Sequence, residues 1–270
     1  MRADVGGVEL EYEVAGAGPE LVWMHGLTGS LDSDRPLCER LSEHYRILWY
    51  STRGHGRSSP VSRREECGYG AVVQDLERLL EVVGFECPLL AGGSHGANTA
   101  LRHAATRPGR QAGLVLVAPG ANALHRPRRA AWALVRAQTR RAERRGPDAV
   151  IRIISGQDPA DPAADQAVLA AARTHDFASL ATVMRYLPDQ QVCTPAQVRR
   201  VAVPTVVAAW RRDPLIHPWS VAERIAALVP GARLVEIPRA GGLSPDVAAG
   251  IVRGLIDEVA AGGRPVPTQP

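Results

Sequence analysis

The sequence predicts an α/β protein built on a mostly parallel sheet that is flanked by helices. Short apolar runs recur along the chain, and most are followed by segments whose apolar residues repeat every three or four positions. Strands that alternate with helices in this way form parallel sheets covered on both faces. A second observation is the segment 89–97, where an apolar run breaks into glycines around Ser94 and then resumes with helical spacing. This pattern predicts a strand, a sharp turn and a helix.

Seven segments carry strand patterns. Residues 8–14 alternate apolar and polar side chains, which is the period of a strand exposed on one face. Residues 21–24 are a continuous apolar run, as expected of a strand buried on both faces, and the segments at 46–50 and before Ser94 also have the pattern of buried strands. In chain order the predicted strands are 8–14, 21–24, 46–50, the run that begins at Leu89, 113–117, 203–210 and 232–238.

Helical patterns fill the intervals between these strands. The clearest is 70–83, whose apolar stripe predicts a helix that covers the sheet. A helix that begins after Ser94 should end near Thr106, because Pro108 and Gly109 follow. Further helices are predicted at 34–43 and 222–229, with a last one near the C-terminus.

Composition narrows the class of protein. The 270 residues suit one large domain, and 45% hydrophobic and 22% charged residues describe an ordinary globular chain. The net charge of +4 gives no reason to expect nucleic acid as a partner. The four cysteines lack the spacing of a zinc site or a disulfide framework, and no apolar run suits a signal peptide or a membrane span. We therefore expect a reduced, cytoplasmic protein without a metal, another cofactor or a membrane partner. Its oligomeric state is left open.

The motif Gly-x-Ser-x-Gly around Ser94 resembles the nucleophile elbow of the α/β-hydrolase superfamily, and the resemblance extends over about residues 8–259. Glycines two positions before and after the serine allow the strained turn that exposes its hydroxyl. The resemblance implies an α/β-hydrolase fold with an eight-stranded, mostly parallel sheet. It also implies an oxyanion hole formed by the N–H groups of Leu27 and His95, in a site that includes His25 and Gly26.

Residues 121–200 interrupt the alternation of strands and helices. In position and size they are similar to the helical cap that many superfamily members insert after the sixth strand. The resemblance thus implies a core of residues 1–120 and 201–262, a cap of residues 121–200 and a flexible tail of residues 263–270. Nine arginines lie between positions 126 and 152. They are predicted to lie on a solvated helix face, and the alternative is a surface that binds an anion or an acidic partner.

Of the two residues that act with the serine in the superfamily, the acid has a counterpart in this chain and the histidine does not. Asp213 follows the strand 203–210 and matches the acid position. At the histidine position this chain has Gly242, which cannot accept a proton. Loss of the histidine from a working triad costs about six decades in rate, or roughly 8 kcal/mol. Three replacements are considered, namely His217, the adjacent His95 and a group of the substrate.

The vacant histidine position favours a cofactor-independent, non-hydrolytic reaction. Epimerisation, cyclisation or a lyase-type step on a carbonyl-bearing natural product or peptide needs an oxyanion hole but no acyl-enzyme. Triad-deficient members of the superfamily in natural-product pathways give the analogy. Two alternatives are a serine esterase or related hydrolase with a displaced base such as His217, and a protein that binds a ligand without turnover.

Overall fold

The computed structural model describes residues 1–124, 133, 137, 139–141, 144–163, 165–211, 213, 215–239 and 243–262. Within these residues the chain forms one eight-stranded sheet with helices packed on both of its faces. This is the α/β-hydrolase architecture that the sequence predicts. The tail of residues 263–270 lies outside the described residues.

The sheet is mostly parallel. Its spatial order is β1-β2-β4-β3-β5-β6-β7-β8, and only the β1–β2 and β2–β4 pairs are antiparallel. In chain order the strands are β1 Arg2–Asp4, β2 Glu9–Ala15, β3 Glu20–Met24, β4 Arg46–Tyr50, β5 Leu89–Gly93, β6 Gly113–Val117, β7 Thr205–Ala209 and β8 Arg233–Glu236. The sequence patterns did not indicate β1, because three residues are too few to show a period.

Two apolar cores lie on opposite faces of the sheet. Alternate residues of one strand serve the two cores: Val22 and Met24 of β3 pack into one, and Leu21 and Trp23 into the other. This double burial explains why the parallel strands read as continuous apolar runs.

Helices α1 and α9 cover one face of the sheet, and α2, α3 and α8 cover the other. Helix α1 begins three residues earlier than predicted, because Ser30 caps it by accepting a hydrogen bond from the Ser33 N–H. The described helices are α1 Leu31–Leu41, α2 Tyr69–Val83, α3 His95–Thr106, α4 Pro147–Ser155, α5 Gln166–Arg173, α6 Phe177–Tyr186, α7 Pro195–Val198, α8 Trp219–Leu228 and α9 Pro245–Ala260.

The described residues between β6 and β7 contain no strand. They form α4 to α7 and a short 3₁₀ helix, Leu187–Asp189. Part of the arginine-rich stretch, including residues 125–132, lies outside the described residues. Among the described helices, none combines the length and the apolar character that crossing a membrane requires.

Candidate active site

Ser94 lies in a strained turn between β5 and α3. Its backbone has φ 52° and ψ −105°, a conformation that non-glycine residues rarely adopt. The Ser94 N–H donates a hydrogen bond of 2.9 Å to the Val117 carbonyl, which fixes the turn against β6. A strained residue held by its surroundings is a common feature of functional sites.

Gly92 and Gly96 allow this turn to approach the neighbouring strand β3. A Cβ atom on Gly92 would lie 2.7 Å from the Met24 carbonyl oxygen, and one on Gly96 would overlap the same carbonyl group. Any side chain at either position would therefore displace the turn from the sheet. The physical reason for the glycine spacing is close backbone approach, as the motif predicts.

The loop that follows β7 brings an imidazole to the Ser94 hydroxyl. His217 Nε2 lies 2.9 Å from Ser94 Oγ, and His217 Nδ1 lies 2.8 Å from Asp213 Oδ2. In the tautomer whose Nδ1–H donates to the carboxylate, Nε2 can accept a hydrogen bond from the Ser94 hydroxyl. A serine, a histidine and an aspartate are thus joined by two hydrogen bonds in the order that nucleophilic catalysis requires.

A tight turn explains how two residues four positions apart reach each other. Asp213 Oδ1 accepts a hydrogen bond of 3.1 Å from the Ile216 N–H, so the carboxylate closes the turn with one oxygen and contacts the imidazole with the other. The Ile216 carbonyl accepts a bond of 2.9 Å from the Ala121 N–H. The ring of Trp210 also meets the His217 ring edge-on, at a centroid distance of 5.4 Å. The imidazole is therefore held by the loop that carries it.

The Asp213 carboxylate is ionised at neutral pH. Burial opposes its charge, but hydrogen bonds from His217 and from the Ile216 N–H outweigh that effect and lower the pKa of Asp213. The side chains of Asp213 and His217 are each 15% exposed, so bulk water screens their contact only in part. A charged carboxylate in this position stabilises the imidazolium that forms when His217 takes a proton.

Leu27 and His95, the two residues for which the resemblance implies an oxyanion hole, border the same cavity as Ser94. His95 is the first residue of α3, where an amide has no acceptor within its own helix, and Leu27 lies in the loop after β3. Both residues line the cavity that contains Ser94, together with Gly26. Both residues therefore lie beside Ser94, where the resemblance implies an oxyanion hole.

His25 contacts the backbone of the loop after β3 and does not line the cavity. It is not among the described residues that line the Ser94 cavity. Its Nδ1 atom contacts the Gly26 carbonyl at 2.7 Å, and its Nε2 atom accepts a bond of 3.0 Å from the Thr52 N–H. The ring of His25 is therefore occupied by the backbone, although the sequence grouped it with the substrate-binding residues.

A cluster of buried histidines surrounds the loop. The rings of His25, His55, His95 and His175 lie with neighbouring centroids between 4.8 and 6.3 Å apart. Burial and then the charge of His55 lower the pKa of His95 and of His175 to about 3. His55 Nε2 contacts the Leu27 carbonyl at 2.9 Å, which helps to hold the Leu27 peptide. These imidazoles are neutral at physiological pH.

The cavity above Ser94 has a volume of about 420 Å³, within the range of small-molecule sites. Most of its wall is apolar, and its polar groups are hydroxyls, amides, a phenol and imidazoles. The lining residues are Gly26, Leu27, Thr28, Tyr69, Ser94, His95, Asn98, Gly120, Asn122, Ile153, Met184, Leu187, Ile216 and His217. Ile153 of α4 and Met184 of α6 thus border the same cavity as the serine.

A larger cavity of about 550 Å³ adjoins the first but does not include Ser94. It shares Gly26 and Thr28 with the smaller cavity and extends between α1 and α5. Its acidic side chains already have partners: Asp34 accepts a bond from Trp23, and Asp32 accepts one from Arg57. The serine-containing cavity is therefore the candidate active site.

The sequence analysis missed four polar wall residues, namely Thr28, Tyr69, Asn98 and Asn122. Helical periodicity would have indicated Asn98, because it lies on α3 four positions after Ser94, which caps that helix, and so on the same side. No spacing rule connects Tyr69 or Asn122 to the serine, since they come from α2 and from the loop after β6. Their position depends on the tertiary fold.

The sequence analysis favoured a site in which no protein group accepts the Ser94 proton. That expectation came from Gly242, which lies outside the described residues. The structure differs at this point, since the His217 imidazole is within hydrogen-bond distance of Ser94 Oγ. The physical reason is the Asp213 turn, which directs the residue four positions later back toward the serine. In the described part of the chain, no group of three or more metal-ligating side chains is arranged to hold a metal ion.

The fold and the serine turn define a protein of the α/β class with its site above the carboxyl ends of parallel strands. The sequence model of the alpha/beta hydrolase fold matches residues 19–247. The chain belongs to this family.

Solved structures agree with the fold. The enol-lactonase from Burkholderia xenovorans LB400 is 19% identical with a TM-score of 0.75, and the match covers 96% of this chain and 100% of that one. A hydrolase from Pseudomonas aeruginosa PA01 is 25% identical with a TM-score of 0.74, over 93% of this chain and 95% of that one.

Curated relatives match in part. The 2-(acetamidomethylene)succinate hydrolase of Mesorhizobium japonicum is 31% identical over 109 residues, which are 40% of this chain and 38% of that protein. Polyketide synthase ThaQ of Burkholderia thailandensis is 30% identical over 246 residues, 87% of this chain but 11% of the synthase. The chain thus matches well under half the length of each of these relatives.

Proposed function

We propose that this protein is a serine hydrolase that cleaves carboxylic esters or lactones, with Ser94 as nucleophile and His217 as general base. The observation that carries the proposal is the 2.9 Å contact between His217 Nε2 and Ser94 Oγ, continued by the 2.8 Å contact between His217 Nδ1 and Asp213. A base within hydrogen-bond reach is what a serine hydroxyl needs to become nucleophilic.

The proposed reaction has two halves. Ser94 Oγ attacks the carbonyl carbon while its proton passes to His217 Nε2, and the N–H groups of Leu27 and His95 stabilise the oxyanion. The carbonyl re-forms as the alkoxide leaves with the proton from His217, which gives an acyl-serine. Water then attacks the acyl group, delivers its proton to His217 and releases the acid, and Ser94 regains its proton.

The comparisons support this class of chemistry more than any other. Several structural neighbours are esterases or lactonases by name, including an esterase from Exiguobacterium antarcticum with a TM-score of 0.76 at 18% identity. The match to a segment of a polyketide synthase favours an acyl compound of natural-product type as substrate. A soluble small molecule is the partner that a cavity of about 420 Å³ suits.

The non-hydrolytic reaction on a carbonyl compound and the binding protein are the competing proposals. The argument for epimerisation, cyclisation or a lyase step began from a serine without a base, and the contact with His217 weakens that argument. A hydrolase adds water to its substrate, an isomerase or lyase converts it without adding water, and a binding protein leaves it unchanged. One set of measurements therefore separates the three proposals.

The test is covalent labelling followed by isotope tracing. A fluorophosphonate probe should modify Ser94 at a rate typical of serine hydrolases, and Ser94→Ala should abolish both labelling and turnover of simple esters. In H₂¹⁸O, each acid released should carry one ¹⁸O atom. An unlabelled Ser94, turnover without ¹⁸O or a ligand recovered unchanged would overturn the proposal, and the last two would favour the isomerase or lyase and the binding protein, respectively.

A further inference from the structure

A chain of two asparagines and one tyrosine crosses the wall of the Ser94 cavity. Asn122 Nδ2 donates to the Leu187 and Gln190 carbonyls at 3.3 and 3.0 Å, so its Oδ1 atom faces Asn98. Asn98 Nδ2 donates to that oxygen at 2.8 Å and to Tyr69 Oη at 3.3 Å. Backbone groups at one end thus determine the direction of every hydrogen bond along the chain.

The other end of Asn98 is also held by the backbone. Its Oδ1 atom accepts a bond of 3.1 Å from the Gly120 N–H, so the amide cannot flip without losing partners on both sides. Both N–H bonds of Asn98 are therefore already used, one by Asn122 and one by the Tyr69 oxygen. In this row of hydrogen bonds Tyr69 Oη accepts from Asn98, so the Tyr69 proton is not used in the contact with Asn98.

The acceptor that the structure gives for the Tyr69 proton is His95 Nδ1, at 3.4 Å. This hydrogen bond is longer than the 2.5–3.0 Å of ordinary O–H hydrogen bonds, so a ligand oxygen at normal distance would replace it with a better partner. Burial raises the pKa of Tyr69 to about 12, so the proton stays on the phenol. The residue is 4% exposed and lines the cavity, which makes its hydroxyl a donor oriented by the protein before any ligand arrives.

We infer that Tyr69 forms a subsite that donates a hydrogen bond to an uncharged oxygen, such as a ketone, ether or hydroxyl, on the acyl part of the substrate. This inference rests on the proposed hydrolase, because it assigns the cavity beside Ser94 to the acyl group. A neutral oxygen fits the surroundings, since Met184, Leu187 and Ile153 line the same cavity and would penalise the desolvation of a carboxylate. An acyl chain without oxygen leaves this donor unpaired.

The test compares Tyr69→Phe with the unaltered protein on paired substrates. The pairs are ethyl hexanoate and a set of ethyl oxohexanoates that carry a ketone at each position further along the acyl chain. For at least one ketone position, kcat/KM should fall about 3- to 10-fold in Tyr69→Phe, the effect of one neutral hydrogen bond. For ethyl hexanoate it should change less than about twofold. Because kcat/KM of each ester is compared between the two proteins, the intrinsic reactivity of that ester cancels.

Tyr50→Phe is the matched control. Tyr50 is 1% exposed and its buried hydroxyl has no hydrogen-bond partner among the described residues, so its removal should leave both substrate types unchanged. An equal loss on all esters in Tyr69→Phe would show a structural role and overturn the subsite. So would a ketone series that is insensitive to the substitution, or a preference for a carboxylate-bearing ester that Tyr69→Phe removes.

A binding measurement separates this inference from the proposed reaction. Ser94→Ala keeps the cavity, and calorimetry should give tighter binding of the favoured oxo ester than of ethyl hexanoate, a difference that Tyr69→Phe in the same background removes. Absence of ester turnover together with this binding difference would reject the hydrolase and retain the subsite. Ester turnover without any effect of Tyr69→Phe on binding or on kcat/KM would retain the hydrolase and reject the subsite.

Discussion

His217 and Ser94 are 123 positions apart in the chain, and the Nε2 atom of the first lies 2.9 Å from the Oγ atom of the second. His217 and Asp213 share one loop, so the imidazole reaches the serine from the strand that also supplies the carboxylate. The family resemblance implies a histidine from the loop after the next strand, at Gly242. The same three functional groups are thus assembled from two segments of the chain rather than three.

Replacing His217 with alanine should lower kcat for ester hydrolysis by about four to six decades, because Ser94 then lacks a base. Steady-state hydrolysis of ethyl esters measures the effect, and circular dichroism checks the fold. His44→Ala is the control, since His44 is exposed and outside the cavity. Retention of more than about a tenth of the activity in His217→Ala would remove His217 from the mechanism.

Replacing Asp213 with asparagine should lower kcat by about two to four decades with a small change in KM. The amide keeps an oxygen for the Ile216 N–H but carries no charge to stabilise the imidazolium. A loss confined to KM would indicate that Asp213 shapes the loop and takes no part in the reaction. Asp176→Asn, at the cap of α6, serves as a control because asparagine also caps helices well.

Gly96→Ala should destabilise the protein by more than about 3 kcal/mol, because the added methyl group overlaps the Met24 carbonyl. Urea unfolding followed by circular dichroism measures the change. Gly254→Ala is the matched substitution, since Gly254 lies within α9 and a Cβ there meets nothing within 4 Å. It should raise the unfolding free energy by about 0.5–1 kcal/mol. Equal effects of the two substitutions would contradict this explanation of the glycine spacing.

The buried histidines should make the protein less stable in acid. His95 and His175 have a folded-state pKa of about 3 against an unfolded value near 6.5, so between these values the unfolded chain binds more protons. Stability therefore falls as the pH drops below about 6.5, and each imidazole contributes about 1.4 kcal/mol per pH unit between roughly pH 6 and pH 4.

Urea titrations at several pH values measure this slope. His175→Gln removes one titrating group, while its amide oxygen can still accept the Gly56 N–H bond. It should therefore reduce the slope of the unfolding free energy against pH by the contribution of about one proton. Gly254→Ala, which removes no titrating group, should leave the slope unchanged. A slope that His175→Gln does not alter would mean that this imidazole does not control acid stability.

The fold was largely predictable because its signals are local. Continuous apolar runs marked the parallel strands, and the glycines around Ser94 marked the turn. The site was only partly predictable. A resemblance assigns roles by position, and it directed attention to Gly242. The position of His217 depends instead on the contacts of Asp213 with His217 and with the Ile216 N–H, and on the Ala121 N–H. Tyr69 and Asn122 join the site through tertiary packing alone.

Because the carboxylate and the imidazole occupy one short turn, the proposed mechanism needs no reacting group from β8 or α9. In that mechanism the loop between these two elements does not have to supply a base. Substitutions, insertions or a fused neighbour near residues 239–244 should be tolerated in this chain where an ordinary relative, with its histidine in that loop, would lose turnover. Transplanting the five residues 213–217 into such a relative would carry both partners of the serine in a single graft.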